Sequence, residues 1–220
     1  MPQRPKFIAL TDELYDYMHV HGHNRDPLLK ELAEETTRLG RISMMQITEE
    51  EGTFLSVMVR ALGVRSAVEV GTFTGYSSIC IARALPSDGR LLCCDVSEEW
   101  TAIARRYWDR AGVANKITLK IGPALDTLRA LPASTSFDFA FIDANKSGYR
   151  DYYEECLKRL RTDGLMLIDN VLWAGKVLDE SDSSEDTVAI RAFNDFVAAD
   201  RRVEAVMIPV ADGITMARKK

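Results

Sequence analysis

Nowhere in the sequence do the ~20 consecutive apolar residues of a membrane-spanning helix occur, so no membrane partner is expected. The opening segment Met1 to Leu10 carries basic residues but too short an apolar run for a secretory leader. Cysteine is sparse: Cys80, Cys93, Cys94 and Cys156 form no CxxC pair. Cys93 and Cys94 lie in an apolar run and read as reduced packing residues, which points by default to a cytoplasmic setting. The three histidines all fall in His19-Val20-His21-Gly22-His23, where the i,i+2 spacing would splay the rings around a helix axis, so no metal grip is expected there. Positive charge is not in excess, with 28 Lys and Arg against 33 Asp and Glu. The bases are scattered and the net charge is -5, which argues against a nucleic-acid partner. Both GxGxxG and GxxxxGK are missing, so neither a dinucleotide turn nor a phosphate loop is supported.

What is present is an ordinary globular composition, 46% apolar and 28% charged over 220 residues. The pattern divides into an N-terminal helical extension, 1–63, and a core, 64–220, expected to form one compact unit. In the first part, Asp12 to Val20 and Pro27 to Leu39 show helical spacing. Thr48 with Glu51 makes a capping box for a helix through Leu62 that Gly63 closes. From Ser66 short apolar runs alternate with helical segments. Strands are expected at Ala67 to Val70, Arg90 to Asp95, Ile117 to Ile121, Phe137 to Asp143 and Leu165 to Asp169. The helices between them are Ser77 to Ala84, Ser97 to Ala111, Thr127 to Leu131 and Tyr149 to Leu160, with another at Thr187 to Ala199. Near-continuous apolar strands in such alternation indicate an α/β fold with a parallel sheet covered on both faces. Two last strands, Val203 to Pro209 and Ile214 to Arg218, are joined by a short Asp212-Gly213 turn and must be antiparallel. The acidic stretch Asp179 to Asp186 reads as a solvated lid or edge.

The chemistry-bearing residues cluster at strand ends, the side of a parallel sheet where ligands bind. After the first strand comes Glu69-Val70-Gly71-Thr72-Phe73-Thr74-Gly75-Tyr76-Ser77, whose glycines let backbone approach a ligand at a helix N-terminus. A carboxylate-bearing ligand such as the methionine part of S-adenosylmethionine suits that place. Asp95 ends the second strand, where it would accept ribose hydroxyls or, alternatively, cap the helix starting near Ser97. Asp143 and Asp169 end two further strands and, with Asn170, offer hard oxygen donors for a magnesium-like ion; helix capping is the alternative. Lys146, at DxxK spacing from Asp143, is placed to take a proton from an acceptor hydroxyl, or else is a surface lysine paired with Asp143 or Glu69. Trp100, Trp108, Phe193 and Phe196 read as helix-face packing, whereas Trp173 borders a pocket or packs in the core.

These motifs, with Met45-Gln46-Ile47-Thr48, Glu51-Gly52, Gly122-Pro123-Ala124, DNVLW (Asp169 to Trp173) and PVADGIT (Pro209 to Thr215), stand in one order. From about Asp12 to the C-terminus the chain resembles the cation-dependent O-methyltransferases. That group contains the caffeoyl-CoA O-methyltransferases and their bacterial relatives, with catechol O-methyltransferase a more distant cousin. The resemblance implies a Rossmann-like class I methyltransferase fold with a mostly parallel seven-stranded sheet. It also implies cofactor contacts from Met45, Ile47, Glu69, Gly71, Thr72, Ser77, Asp95, Ala124 and Asp143. Metal ligation by Asp143, Asp169 and Asn170, Lys146 as base, and a homodimer follow in the same way. Two positions depart from the family pattern: Asn145 stands for an aspartate that touches the cofactor, and Ala174 for an asparagine that meets the substrate in plant enzymes. Ala174 and the short N-terminus favour a small catechol, flavonoid or antibiotic precursor over a CoA thioester. A nicotinamide oxidoreductase lacks its glycine turn here. A nonenzymatic S-adenosylmethionine-binding module would not need Lys146 beside a metal. Methylation of nitrogen in a nucleic acid lacks both the basic surface and an N/D-P-P-Y/F loop.

Overall fold

A computed structural model describes residues 8–22 and 26–220. His23 and residues 1–7, on which part of the histidine and leader readings rest, lie outside the described residues. The short apolar runs become seven strands: β1 (Ser66–Val70), β2 (Arg90–Asp95), β3 (Ile117–Ile121), β4 (Phe137–Ile142), β5 (Leu160–Ile168), β6 (Val203–Ile208) and β7 (Ile214–Lys219). They form one sheet in the order β3-β2-β1-β4-β5-β7-β6. The first five run parallel, while β7 is antiparallel to both β5 and β6. This is the mixed sheet with a C-terminal antiparallel hairpin that the strand spacing implies.

Alternation along each strand sends neighbouring side chains into different cores. Ala67, Cys93, Phe139 and Leu167 pack on one face with Leu32, Leu55, Ile79 and Ala104. These last four come from α2 (Pro27–Thr37), α3 (Glu49–Ala61), α4 (Tyr76–Ala84) and α5 (Glu98–Arg110). On the other face Val68, Val70, Ala140 and Ile168 meet Leu128, Tyr153 and Phe193, which belong to α6 (Ala124–Ala130), α7 (Tyr149–Arg159) and α8 (Glu185–Ala199). Two of the four helix-face aromatics, Trp108 and Phe193, are buried. All four cysteines are free and buried. The first helix, α1 (Asp12–His21), buries none of its residues. Among the described residues no helix is long and apolar enough to cross a membrane.

Element ends depart from expectation for local reasons. The regular β4–β5 ladder starts at Phe139 opposite Leu165, as the apolar run indicates. The strand itself begins at Leu160, with an irregular stretch before Leu165 in which Asp163 has φ +61. α6 starts at Ala124, not Thr127, because Pro123 occupies its N-cap. α3 ends as expected: Gly63 takes φ +60, and bonds from Gly63 N to Arg60 O and Val64 N to Val59 O close the helix. The capping box is only half formed. Thr48 accepts the Glu51 N–H, but the Glu51 carboxyl turns inward to Asp169 instead of returning to Thr48. The acidic stretch is exposed but ordered, because the Arg191 guanidinium donates to the carbonyls of Lys176, Val177, Asp179 and Asp182. Its last residues, Glu185 and Asp186, open α8.

Candidate active site

Strand order reverses between β1 and β4, and their carboxyl ends open into a cavity of about 1000 Å³. Gly71 carries the chain out of β1 at φ +93, so close to β4 that a Cβ there would lie 1.7 Å from the Asp143 carbonyl oxygen. The strand ends are laced together by Gly71 N to Cys94 O, Asp143 N to Val70 O and Asp169 N to Ile142 O, at 2.9–3.0 Å. Gly75, at φ +89, starts α4 without a side-chain cap, so the first backbone N–H groups of that helix find no capping side chain.

Asp95 holds the glycine turn. Its Oδ2 accepts the Thr72 and Phe73 N–H groups at 2.9 and 2.8 Å, and its Oδ1 accepts Ser97 N–H at 2.8 Å. The cap of α5 is Ser97 itself, so the capping alternative for Asp95 gives way to a loop strut. A carboxylate offers about four acceptor sites, so one remains for a ligand in the cavity that Asp95 lines. Met45, Ile47, Gly71, Thr72, Ser77, Ala124 and Asp143 line the same cavity. Glu69 does not. Strand alternation turns it away from Val68 and Val70, and it lies fully buried beneath the turn, accepting the Thr72 hydroxyl at 3.0 Å. Burial pushes its carboxyl up to about 7. Glu69 supports Thr72 from beneath the turn, and its Oε1 has no hydrogen-bond partner.

Asp143, Lys146, Asp169 and Asn170 converge on the cavity. Lys146 is only 7% exposed, which removes the reading of a surface lysine. Its Nζ donates to Asp143 Oδ1 at 3.1 Å, Asn170 Oδ1 at 2.6 Å and the Tyr149 hydroxyl at 2.6 Å. The Tyr149 hydroxyl in turn donates a hydrogen bond to the Asp169 carbonyl at 3.0 Å. The Asp169 carboxylate accepts from Asn170 N and Nδ2, and burial together with the nearby Asp143 raises it above the usual carboxylate range. Glu51 is raised likewise, by burial and by Asp169 and Asp143. Among the described residues no three His, Cys, Asp or Glu side chains are grouped to hold a metal, so a cation here would need the Asn170 amide oxygen beside the two aspartates.

Backbone strain gathers around this place. Phe73, Asn170, Trp173, Ala174 and Ala211 all have φ between +46 and +58, a region costing of order 1–3 kcal/mol for such residues, and all five line the cavity. Ala174 is held there by its N–H to Asp212 Oδ1 at 2.6 Å. Asn145, the other departure, accepts the Tyr152 hydroxyl at 2.6 Å, a bond within the wall of the cavity.

Trp173 borders the pocket, with its ring 5.5 Å from Lys146 Nζ. Trp100 also lines it, edge-on to Phe73 at 5.3 Å. Trp100 thus packs and also faces the cavity, because α5 begins at the carboxyl edge of the sheet. Of the two described histidines, His19 faces Glu49 at 3.9 Å and His21 bonds the Tyr17 carbonyl of its own helix. Sequence reasoning missed Glu51 and Tyr149 as site residues. Glu51 was explained by its cap, and Tyr149 by its place on an amphipathic helix.

This geometry can be set beside known proteins. A family model described as O-methyltransferase matches residues 19–220. The "Probable caffeoyl-CoA O-methyltransferase 1" of Dictyostelium discoideum is 39% identical over 216 residues, covering 96% of this chain and 94% of its own. The O-methyltransferase TomG from Streptomyces achromogenes, solved in complex with SAM, has a TM-score of 0.86 at 30% identity, covering 94% of this chain and 96% of its own. An O-methyltransferase from Bacillus cereus in complex with SAH gives 0.85 at 32% identity, with coverage of 93% and 96%. A glycine turn at the sheet's switch point, the strand order and a match over nearly the whole length agree, and the chain belongs to the O-methyltransferase family.

Proposed function

We propose that the protein transfers a methyl group from S-adenosylmethionine to one hydroxyl of a catechol-like small molecule, with a divalent cation at Asp143, Asp169 and Asn170. The observation that carries this reading is the convergence of two aspartates, an amide and a buried lysine on the cavity reached by the glycine turn. The donor set suits a hard cation such as Mg2+, and a zinc site would normally bring His or Cys. The fit is supported by the crowding of acids: burial and neighbouring carboxyls raise both Asp169 and Glu51, and Glu51 Oε1 has no partner.

When bound, such a cation supplies Lewis-acid chemistry, lowering the pKa of a catechol hydroxyl and orienting it. The chain's own residues do the rest. The Gly71–Ser77 turn and Asp95 hold the donor, and Met45 and Ile47 close over it. Lys146 Nζ stands among the oxygens that would face the acceptor and takes its proton. It can do so only as the neutral amine, and Asp143, Asn170 and Tyr149 hold Nζ in place. The acceptor oxygen bonds to the methyl carbon as the sulfonium carbon–sulfur bond breaks, and alignment of the three atoms supplies much of the acceleration.

The cavity wall also carries Glu50, Asp186 and Asp212, with Lys176 as the opposing charge. Lys176 already faces Asp182 at 3.8 Å, and this balance favours a small phenolic over a polyanionic thioester. Acceptance of a CoA thioester is the second reading, favoured by the name of the Dictyostelium relative. Homodimerisation and cytoplasmic residence complete the proposal; light scattering of the purified chain tests the first.

Asp143→Ala or Asp169→Ala is expected to abolish turnover of caffeate while binding of S-adenosylhomocysteine, measured by calorimetry, largely survives. Retained turnover in both variants would remove the metal site.

A further inference from the structure

The first turn of α3 carries a glutamate where capping alone would leave it at the surface. Glu51 is 1% exposed, lines the cavity, and has an Oε1 with no hydrogen-bond partner. Its carboxyl lies against Asp169, with Asp143 also close. The positive group in this cluster is Lys146, whose ammonium has three N–H donors. All three are spent, on Asp143, Tyr149 and Asn170, and none reaches Glu51. Glu51 therefore ends as a buried acid in the cavity wall with one oxygen unpartnered. Burying a carboxylate without a partner is unfavourable, so this position makes physical sense where a further positive charge completes the cluster.

We propose that Glu51 is a positioning residue for the cation site: from the first turn of α3 it orients the Asp169 carboxylate. The inference rests on the metal reading above. Glu51 acts through Asp169 and not as a direct donor, since among the described residues no three acidic side chains form a metal-holding group.

Glu51→Gln keeps the shape of the side chain and removes its charge. Mg2+ is titrated calorimetrically into metal-free wild type, E51Q and D169A, and the thermal midpoint of each is measured in chelator. Disturbing a group that orients a metal ligand costs roughly 10–100-fold in affinity. E51Q is therefore expected to bind Mg2+ more weakly by that factor, and to need correspondingly more Mg2+ for half-maximal turnover, while its metal-free midpoint does not fall. Affinity within about twofold of wild type, with D169A clearly weakened, overturns the role of Glu51 and leaves the metal reading standing. A lower metal-free midpoint for E51Q also overturns it, because Glu51 would then be a packing residue. Unweakened binding by D169A overturns the metal reading itself, and the role of Glu51 with it.

Discussion

Gly71→Ala separates the strain of a turn from the collision that defines the site. Two glycines with left-handed backbone serve as test and control. At Gly112, φ is +68 and an added Cβ meets nothing within 4 Å, so alanine there bears only conformational strain, roughly 1–2 kcal/mol. For a chain of this size that lowers the thermal midpoint by about 2–4 °C per kcal/mol. At Gly71, φ is +93 and the new Cβ would stand 1.7 Å from the Asp143 carbonyl oxygen and 2.7 Å from its carbon. Backbone cannot swing aside as a side chain does, and Asp143 is tied by its own N–H to Val70 O at 2.9 Å. The two strand ends must separate by on the order of 1 Å, a misplacement that can cost ~100-fold in rate. G71A is expected to lose at least ~3 kcal/mol of stability, to bind S-adenosylhomocysteine poorly, and to fall ~100-fold or more in kcat/KM. G112A is expected to keep binding and rate. Calorimetric unfolding and ligand titration of both variants check this. Equal midpoints and equal affinities for the two would refute the claim that close contact at the switch point shapes the donor site.

Lys146→Ala is expected to lower the rate more at neutral pH than at high pH, where the acceptor hydroxyl ionises unaided. Equal losses at both would remove Lys146 as the base. Asp200 tests acid stability away from the site: its carboxyl, bonded to the Arg202 guanidinium and the Tyr153 hydroxyl, is pulled from 3.8 down to about 2. A depressed carboxylate stabilises the fold above its unfolded pKa, and that contribution fades as pH falls from about 4 toward 2. Arg202 is half exposed, so solvent screening holds the effect to about 1–2 kcal/mol. Asp200→Asn is expected to lower the urea midpoint at pH 6 and to converge with wild type only as pH nears about 2; a gap that stays constant on acidification would contradict the assignment.

Much of the fold was legible because burial on both faces leaves apolar strands that alternation with helices makes hard to mistake. The antiparallel hairpin followed from a turn too short for a crossover. The site was legible wherever a polar residue interrupts the end of such a strand, as at Asp95, Asp143 and Asp169. Glu69 sits in the motif, but strand alternation sends it beneath the turn, a depth that the motif alone does not give. Glu51 stayed hidden because a capping box already accounted for a glutamate at that position, and only the approach of α3 to the end of β5 shows where its carboxyl goes. The strained backbone from Trp173 to Gly175 had no signal at all, since Trp and Ala do not advertise positive φ, and the Asp212 contact that holds it crosses 38 residues.

Methyl transfer from labelled S-adenosylmethionine to a catechol, measured in excess chelator and again after Mg2+ is returned, tests the central claim most directly. The arrangement of Asp143, Asp169, Asn170 and Lys146 predicts turnover lost in chelator and restored by the cation. Undiminished turnover in chelator would contradict it.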